Sequence, residues 1–261
     1  MFSSLYRSRH LLWELVARDI RSRYTGSLLG LFWSVLNPLL QLFLYTIVFS
    51  VFLGDKLGQK PGTATFAALL FCALLPWSAI QESATRSARA FMDQANLVKK
   101  ARFPLETIPL SLACSALIHQ LIATIAFSAI LAVAGTLNWR TLPAMIPLLI
   151  LEGVFMYGLA LIFSTVNVFF KDIAHVIGVF FMFLFWLTPI VYPKDAVPDE
   201  YLWLLNLNPL THIVEAFRFA MFGQPAFPVS GLIYWAVLTG IILFLGIWML
   251  SRSRSDILDL V

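Results

Sequence analysis

Long apolar runs, each of 18 residues or more, are separated by short polar or charged segments along nearly the whole chain. A hydrocarbon core about 30 Å thick takes roughly 20 helical residues to cross. The pattern therefore predicts six spans: Leu28 to Leu53, Thr63 to Gln81, Thr107 to Ala134, Leu142 to Phe170, His175 to Tyr192 and Val229 to Leu250. The first run follows some 27 polar or mixed residues and has no small-residue cleavage pattern behind it, so it is expected to stay as a span and not to act as a secretory signal. Ahead of it, Leu12, Trp13, Val16, Ala17, Ile20 and Tyr24 recur at helical spacing, with Arg7, Glu14, Arg18 and Arg21 on the other face. This predicts an amphipathic helix within residues 1–27, lying in the membrane surface, followed by a six-helix domain over 28–261.

Two connecting segments have a pattern of their own. Between spans two and three come Arg86, Arg89 and Asp93, then Asn96-Leu97-Val98-Lys99-Lys100-Ala101-Arg102-Phe103-Pro104. Pro104 interrupts any helix before span three, so a short separate helix over about 93–103 is expected. It suits contact with a soluble partner, and its charges equally suit enforcement of topology. The segment 193–228 is long yet rich in Leu, Ile, Phe and Trp; two short amphipathic pieces broken at Asn208-Pro209 fit it better than a solvated loop, re-entering the outer leaflet where irregular backbone rests against protein or a water-filled cavity.

Composition agrees with an all-α integral membrane protein: 60% of residues are hydrophobic and 12% charged, against about a quarter charged in a soluble domain. The net charge of +4 matters less than its placement. With six spans both termini share a side, and that side, with segments 82–106 and 171–174, holds thirteen Lys and Arg; the other holds Lys56, Lys60, Arg140, Lys194 and Arg218. Positive residues stay inside, so both termini are expected in the cytoplasm. Cys72 and Cys114 lie in apolar runs and support no disulfide or thiolate metal site. No phosphate-binding loop, metal-binding helix pair or nucleophile elbow occurs, and the four histidines are far apart. Any work the protein does must draw its energy from elsewhere.

Polar residues inside spans are the remaining candidates. Ser34, Asn37, Gln41 and Tyr45 share one face of span one, which should look into the bundle or a cavity because polar groups against lipid are costly. Phe181, Phe185, Thr188 and Tyr192 share a face of span five, with Trp186 beside it; packing or an interfacial belt explains such a stripe as readily as a ligand path. His119 and Glu152, counted from their span ends at about 1.5 Å per residue, fall at one depth and are expected to pair and lock spans three and four together.

The stretch Arg18-Asp-Ile-Arg-Ser-Arg-Tyr-Thr-Gly-Ser-Leu-Leu-Gly-Leu-Phe-Trp-Ser-Val-Leu-Asn-Pro38 resembles the N-terminal signature of ABC-type polysaccharide-export permeases. Three further segments resemble the same family in order and spacing: Asn96 to Pro104, Phe170-Lys-Asp-Ile173, and Asn208-Pro-Leu-Thr-His-Ile-Val-Glu-Ala-Phe-Arg218. One departure is Lys171, where Arg is more familiar; it keeps the charge and loses any bidentate contact. The resemblance implies a homodimer in a bacterial inner membrane, paired with two copies of an ABC ATPase and moving an undecaprenyl-linked, O-antigen-type polysaccharide outward. It implies an interface helix at the N-terminus, a coupling helix carrying Asn96, Leu97, Val98, Lys99, Lys100, Arg102 and Phe103, and an outer gate over 193–228. A glycan channel would be lined by Ser34, Asn37, Gln41, Tyr45, Phe181, Phe185, Trp186, Thr188 and Tyr192. The chain itself is expected to bind no cofactor, metal or nucleic acid and to catalyse nothing; ATP and Mg belong to the partner. Capsule or teichoic-acid export, export of small hydrophobic compounds, and a membrane-embedded glycolipid-processing enzyme remain the alternatives.

Overall fold

The computed structural model describes residues 9–23, 26–27, 32–48, 66–99, 104–224 and 229–261. Among them there is no strand. Four helices are long and apolar enough to cross a membrane, α3 (Phe66–Ala88), α6 (Thr107–Val133), α7 (Met145–Phe169, entered through a 3-10 turn at Leu142–Ala144) and α11 (Val229–Arg252). Two shorter apolar helices, α2 (Trp33–Tyr45) and α8 (Ile173–Trp186), occupy the first and fifth predicted spans.

α3 is the most enclosed helix, with Phe71, Cys72, Leu75, Trp77, Ile80 and Ala84 all buried, and α2, α6, α7 and α8 all touch it. Fourth and sixth spans meet backbone to backbone. A Cβ added at Gly158 would lie 2.9 Å from Ile242 Cγ2 and 3.0 Å from the Leu243 amide nitrogen, and one at Gly246 would lie 2.9 Å from the Gly158 carbonyl. Small residues allow this approach, and close packing is what holds helices together where both sides are already apolar.

α8 runs 14 residues and stops at Trp186 instead of reaching Tyr192. Pro189 is the reason: the residue before a proline is pushed out of helical backbone, and proline has no amide to continue the ladder. At about 1.5 Å per residue the helix is about 21 Å long, and residues 187–192 of the predicted span form turns and bends. The outer segment forms α9 (Leu202–Leu207) and α10 (Pro209–Phe222), broken at Asn208-Pro209. Asn208 caps α10 by accepting from the Leu210 amide at 3.0 Å, with Pro209 in the first turn where its missing N–H costs nothing. α10 ends at Gly223, φ +73°, and its last carbonyls are met by the turn between spans three and four: the Asn138 amide donates to Met221 O at 2.8 Å and the Thr141 hydroxyl to Ala220 O at 3.1 Å.

The N-terminal helix α1 (Arg9–Arg23) packs on α6 through Leu15 and Val16, with Asp19 and Arg23 one and two turns on along the same face. Of the predicted membrane stripe, Leu12, Trp13, Val16, Ala17, Ile20 and Tyr24, Val16 is buried and Trp13 is 68% exposed, while Tyr24 lies outside the described residues. Two single turns, α4 (Ala90–Asp93) and α5 (Ala95–Val98), follow α3, and α12 (Arg254–Leu260) ends the chain with Ile257 buried.

Candidate functional site

Three spans enclose a polar cavity of about 200 Å³. α2 contributes Asn37, Pro38 and Gln41, α3 contributes Ser78 and Glu82, and α6 contributes His119 and Gln120. Phe71, Leu74, Leu75, Ala79, Ala116 and Ala123 complete the walls. The α3 members recur every three or four residues, so one helix face supplies them all. Gln41 Nε2 donates to the Tyr45 hydroxyl at 2.9 Å, one turn farther along α2.

At the inner wall Gln120 Nε2 donates to Glu152 Oε2 at 2.9 Å, and the amide oxygen of Gln120 and the other carboxylate oxygen of Glu152, Oε1 in each case, are buried without a hydrogen-bond partner among the described residues. The expected partner of Glu152 was His119. The structure gives that place to the next residue, while His119 lines the cavity with Glu82. A one-residue step turns a helical side chain by about 100°, so depth counting located the level on α6 but could not resolve which of two neighbours faces α7.

Glu82, at one end of the cavity, belongs to a network of paired charges. The Arg86 guanidinium contacts both carboxylate oxygens of Asp19, one of them at 3.1 Å, and its Nη1 also reaches Glu82 at 3.2 Å. Arg23 pairs with Glu82 and, at 3.3 Å, with Asp19, and the Ser115 hydroxyl donates to Asp19. Burial by itself would raise the Asp19 pKa; hydrogen bonds from Arg86 and Ser115, and the charges of Arg86 and Arg23, outweigh it and hold the carboxyl below its usual value. The same helix reaches the next segment, where Arg18 Nη2 donates to Gln94 Oε1 at 3.2 Å.

On α8 the predicted aromatic face divides in two. Phe181, 2% exposed, and Phe185 both meet Trp77 of α3 edge-on, at 5.6 and 5.4 Å between centroids. Thr188 is fully buried, donating to Leu184 O and accepting from Asn208 Nδ2 at 2.8 Å. Phe181 and Thr188 thus belong to the subunit interior and not to an open face. Trp186 is 63% exposed and stacks edge-on against Phe185, and the Tyr192 hydroxyl donates to Trp186 O at 2.8 Å. Trp77 is absent from the cavity lining, so the polar face of α2 and the aromatic face of α8 meet different faces of α3.

α10 clasps the end of α8. Asn208 Nδ2 donates to Leu187 O at 3.2 Å, and Arg218 donates from Nη2 to Ile190 O at 3.2 Å and from Nε to Leu69 O at 3.3 Å. Lys194 Nζ donates to Glu215 Oε1 at 2.9 Å, while His212 Nδ1 stands 3.9 Å from the other oxygen, beyond hydrogen-bonding reach. Burial opposes the Glu215 carboxylate, but these two neighbours keep its pKa below the usual value.

In the segment after α3, Val98 is fully buried and Asn96 and Lys99 are exposed, with Leu97 between. Val98 anchors this turn to the bundle, leaving Asn96 and Lys99 as its outward surface. Lys100, Arg102, Phe103 and the Ser34 side chain lie outside the described residues.

Asp19, Arg23, Glu82, Ser115 and Gln120 were given no site role from the sequence, although two signals were present. Asp19/Arg23 and Glu82/Arg86 are both i,i+4 opposite-charge pairs, and each begins or ends a helix of otherwise apolar packing.

Comparison with known proteins places these observations. The family model described as ABC-2 type transporter matches residues 10–222. An O-antigen export system permease protein RfbA of Klebsiella pneumoniae is 32% identical over 238 residues, 89% of this chain and 87% of that one. The RfbA permease of Myxococcus xanthus is 30% identical over 228 residues, 86% and 84%. The polysialic acid transport protein KpsM of Escherichia coli is 25% identical over 253 residues, 93% and 92%. With four helices long enough to cross a membrane and a family match over most of its length, this chain belongs to the ABC-2 type transporters.

Proposed function

We propose that this chain is the membrane subunit of an ATP-driven exporter that moves a lipid-linked polysaccharide of the O-antigen type, undecaprenyl-linked, from the cytoplasmic to the outer face of a bacterial inner membrane. The observation that carries the reading is the naming of relatives as O-antigen export permeases at 30 to 32% identity over more than four fifths of the chain. The fall to 25% for a capsule-type relative favours O-antigen-type cargo. In this reading the subunit has six spans with both termini cytoplasmic and works as a homodimer with two ATPase subunits that hold ATP and Mg. The turn bearing Asn96 and Lys99 docks on the ATPase, and α9 and α10 form the outer gate.

The polar face of α2 and the rim of Phe185, Trp186 and Tyr192 contact different faces of α3 in one subunit, so a path using both is formed where two subunits meet. Amide and hydroxyl groups take the sugar hydroxyls, and flat rings take the C–H faces without fixing one register. Tyr45→Ala and Trp186→Ala are expected to lower export in inverted vesicles while leaving membrane insertion and ATPase binding intact. Full export in both variants overturns the path.

A further inference from the structure

The cavity between α2, α3 and α6 is a site in its own right. Measured as space for a water centre, about 10–15 Å³ holds one molecule; about 200 Å³ is room for far more than one. Asn37, Gln41 and Ser78 are exposed side chains on its wall, so it opens to the surface of the bundle. At its Glu82 end the Arg23–Glu82 and Arg86–Asp19 pairs tie α1 to α3. Its single acid, Glu82, is neutralised by Arg23 and Arg86, so the interior does not call for an ion of either sign. No group of three His, Cys, Asp or Glu that could hold a metal occurs among the described residues.

What remains, beside the imidazole of His119, is amide and hydroxyl chemistry against an apolar wall. Asn37, Gln41, Ser78 and Gln120 each donate and accept, as sugar hydroxyls do. Phe71 and Leu75 supply the apolar side that a sugar's C–H face requires. Gln120 Oε1, on a residue 5% exposed, has no partner among the described residues, and a buried carbonyl oxygen left so is costly until a donor reaches it.

We propose that this cavity is a subsite for one hydroxyl-rich ring, a single sugar residue, entered from the exposed face of α2 and bounded at its Glu82 end by the ion pairs that tie α1 to α3. The sugar assignment rests on the export reading above; the pocket itself rests on its lining. A residue of the chain in transit would turn out of the inter-subunit path into this recess, its hydroxyls taking Gln120 Oε1 and the amides of Asn37 and Gln41.

The test uses the full-length protein in lipid nanodiscs in a Cys72→Ala, Cys114→Ser background. Ser78→Cys is labelled with a small water-soluble maleimide, with methyl α-mannoside, methyl β-N-acetylglucosaminide or glycerol as probe. At least one glycoside should slow labelling threefold or more while glycerol does not, and Gln120→Leu should abolish the protection. Because Gln120→Leu also strips Glu152 of its partner, Gln41→Leu serves as a second variant and should weaken protection without touching that bond. Labelling that no glycoside slows means the recess holds water only, and overturns the proposal, as does a Ser78→Cys thiol that never reacts. Trp186→Cys, probed with a trapped glycan chain, reports separately on the path. Protection there without protection at position 78 removes the pocket and keeps the path; the reverse removes the path and keeps the pocket.

Discussion

Arg86 holds Asp19 with two prongs, one guanidinium nitrogen on each carboxylate oxygen, and this contact joins the N-terminal helix to the last turn of α3. Both residues are more than half shielded from water, with Glu82, Arg23 and Ser115 completing the network. A motion of the segment just after α3 therefore reaches α1 by two routes, Arg86–Asp19 and Arg18–Gln94.

Asp19→Asn should lower stability by about 1.5–3 kcal/mol, the range for hydrogen bonds to charged groups, and Arg86→Lys by less, since it keeps the charge and loses the fork. Thermal unfolding in one detergent measures both, and equal stability of Asp19→Asn and the parent would refute the claim. The folded-state pKa of Asp19 is depressed below the ordinary aspartate value of 3.8, so its contribution is complete above that value and fades as pH falls through the lower, folded-state one. The stability gap between parent and Asp19→Asn should hence be constant near neutrality and narrow only in strong acid.

Gly158 tests the contact between spans four and six. Gly158→Ala places a methyl 2.9 Å from Ile242 Cγ2 and 3.0 Å from backbone nitrogen, and overpacking of this kind costs about 1–3 kcal/mol. Gly178→Ala is the control, since nothing lies within 4 Å of its added methyl; exchanging a helical glycine for alanine there should be neutral or favourable by up to about 1 kcal/mol. Matching unfolding temperatures for the two variants would show the helices are not in backbone contact.

Asn208 does three jobs with one amide. Asn208→Ala removes the cap on α10, worth about 0.5–2 kcal/mol, and both donations to the end of α8. Asn208→Asp keeps the cap and loses the donations. Hydrogen exchange read by mass spectrometry should speed up across residues 187–192 in both variants, with overall stability falling further in the alanine one. Unchanged exchange in both would mean that α10 does not hold this turn.

Lys99 and Asn96 form the outward surface of the turn after α3. Lys99→Glu with Lys100→Glu is expected to weaken co-purification with the ATPase, or to leave ATP hydrolysis running without export. Normal assembly and export in the double variant would remove the docking role.

Element positions were legible because apolar runs of this length have one use, and the helix starts at Thr107 and Val229 agree with the runs to the residue. The early end of α8 was legible as well, since Thr188-Pro189 sits in plain view; length, not local breaker chemistry, governed that expectation. Side-chain partners were harder. Polar spacing marked Asn37 and Gln41 as facing inward, and they line a cavity, yet Ser78 and Gln120 on the opposite walls occur singly and carry no periodic signal. Phe181 and Phe185 share a stripe with Trp186, and only the position of Trp77 decides which of them are enclosed. Asp19 was hidden because an amphipathic pattern assigns charge to solvent, whereas here charges on two helices satisfy each other at the packed face.

The turn that ends the fifth span has a consequence for the membrane around it. Beyond Trp186 the peptide carbonyls of Trp186, Leu187 and Ile190 are met by side chains, Tyr192, Asn208 and Arg218, instead of by a further helical turn. Backbone satisfied in this way needs no surrounding hydrocarbon, and a helix of about 21 Å matches only some two thirds of a 30 Å core. The apolar helical wall of α8, 14 residues, is thus shorter than that of α11, 24 residues, and the bundle offers its surroundings two unequal flanks.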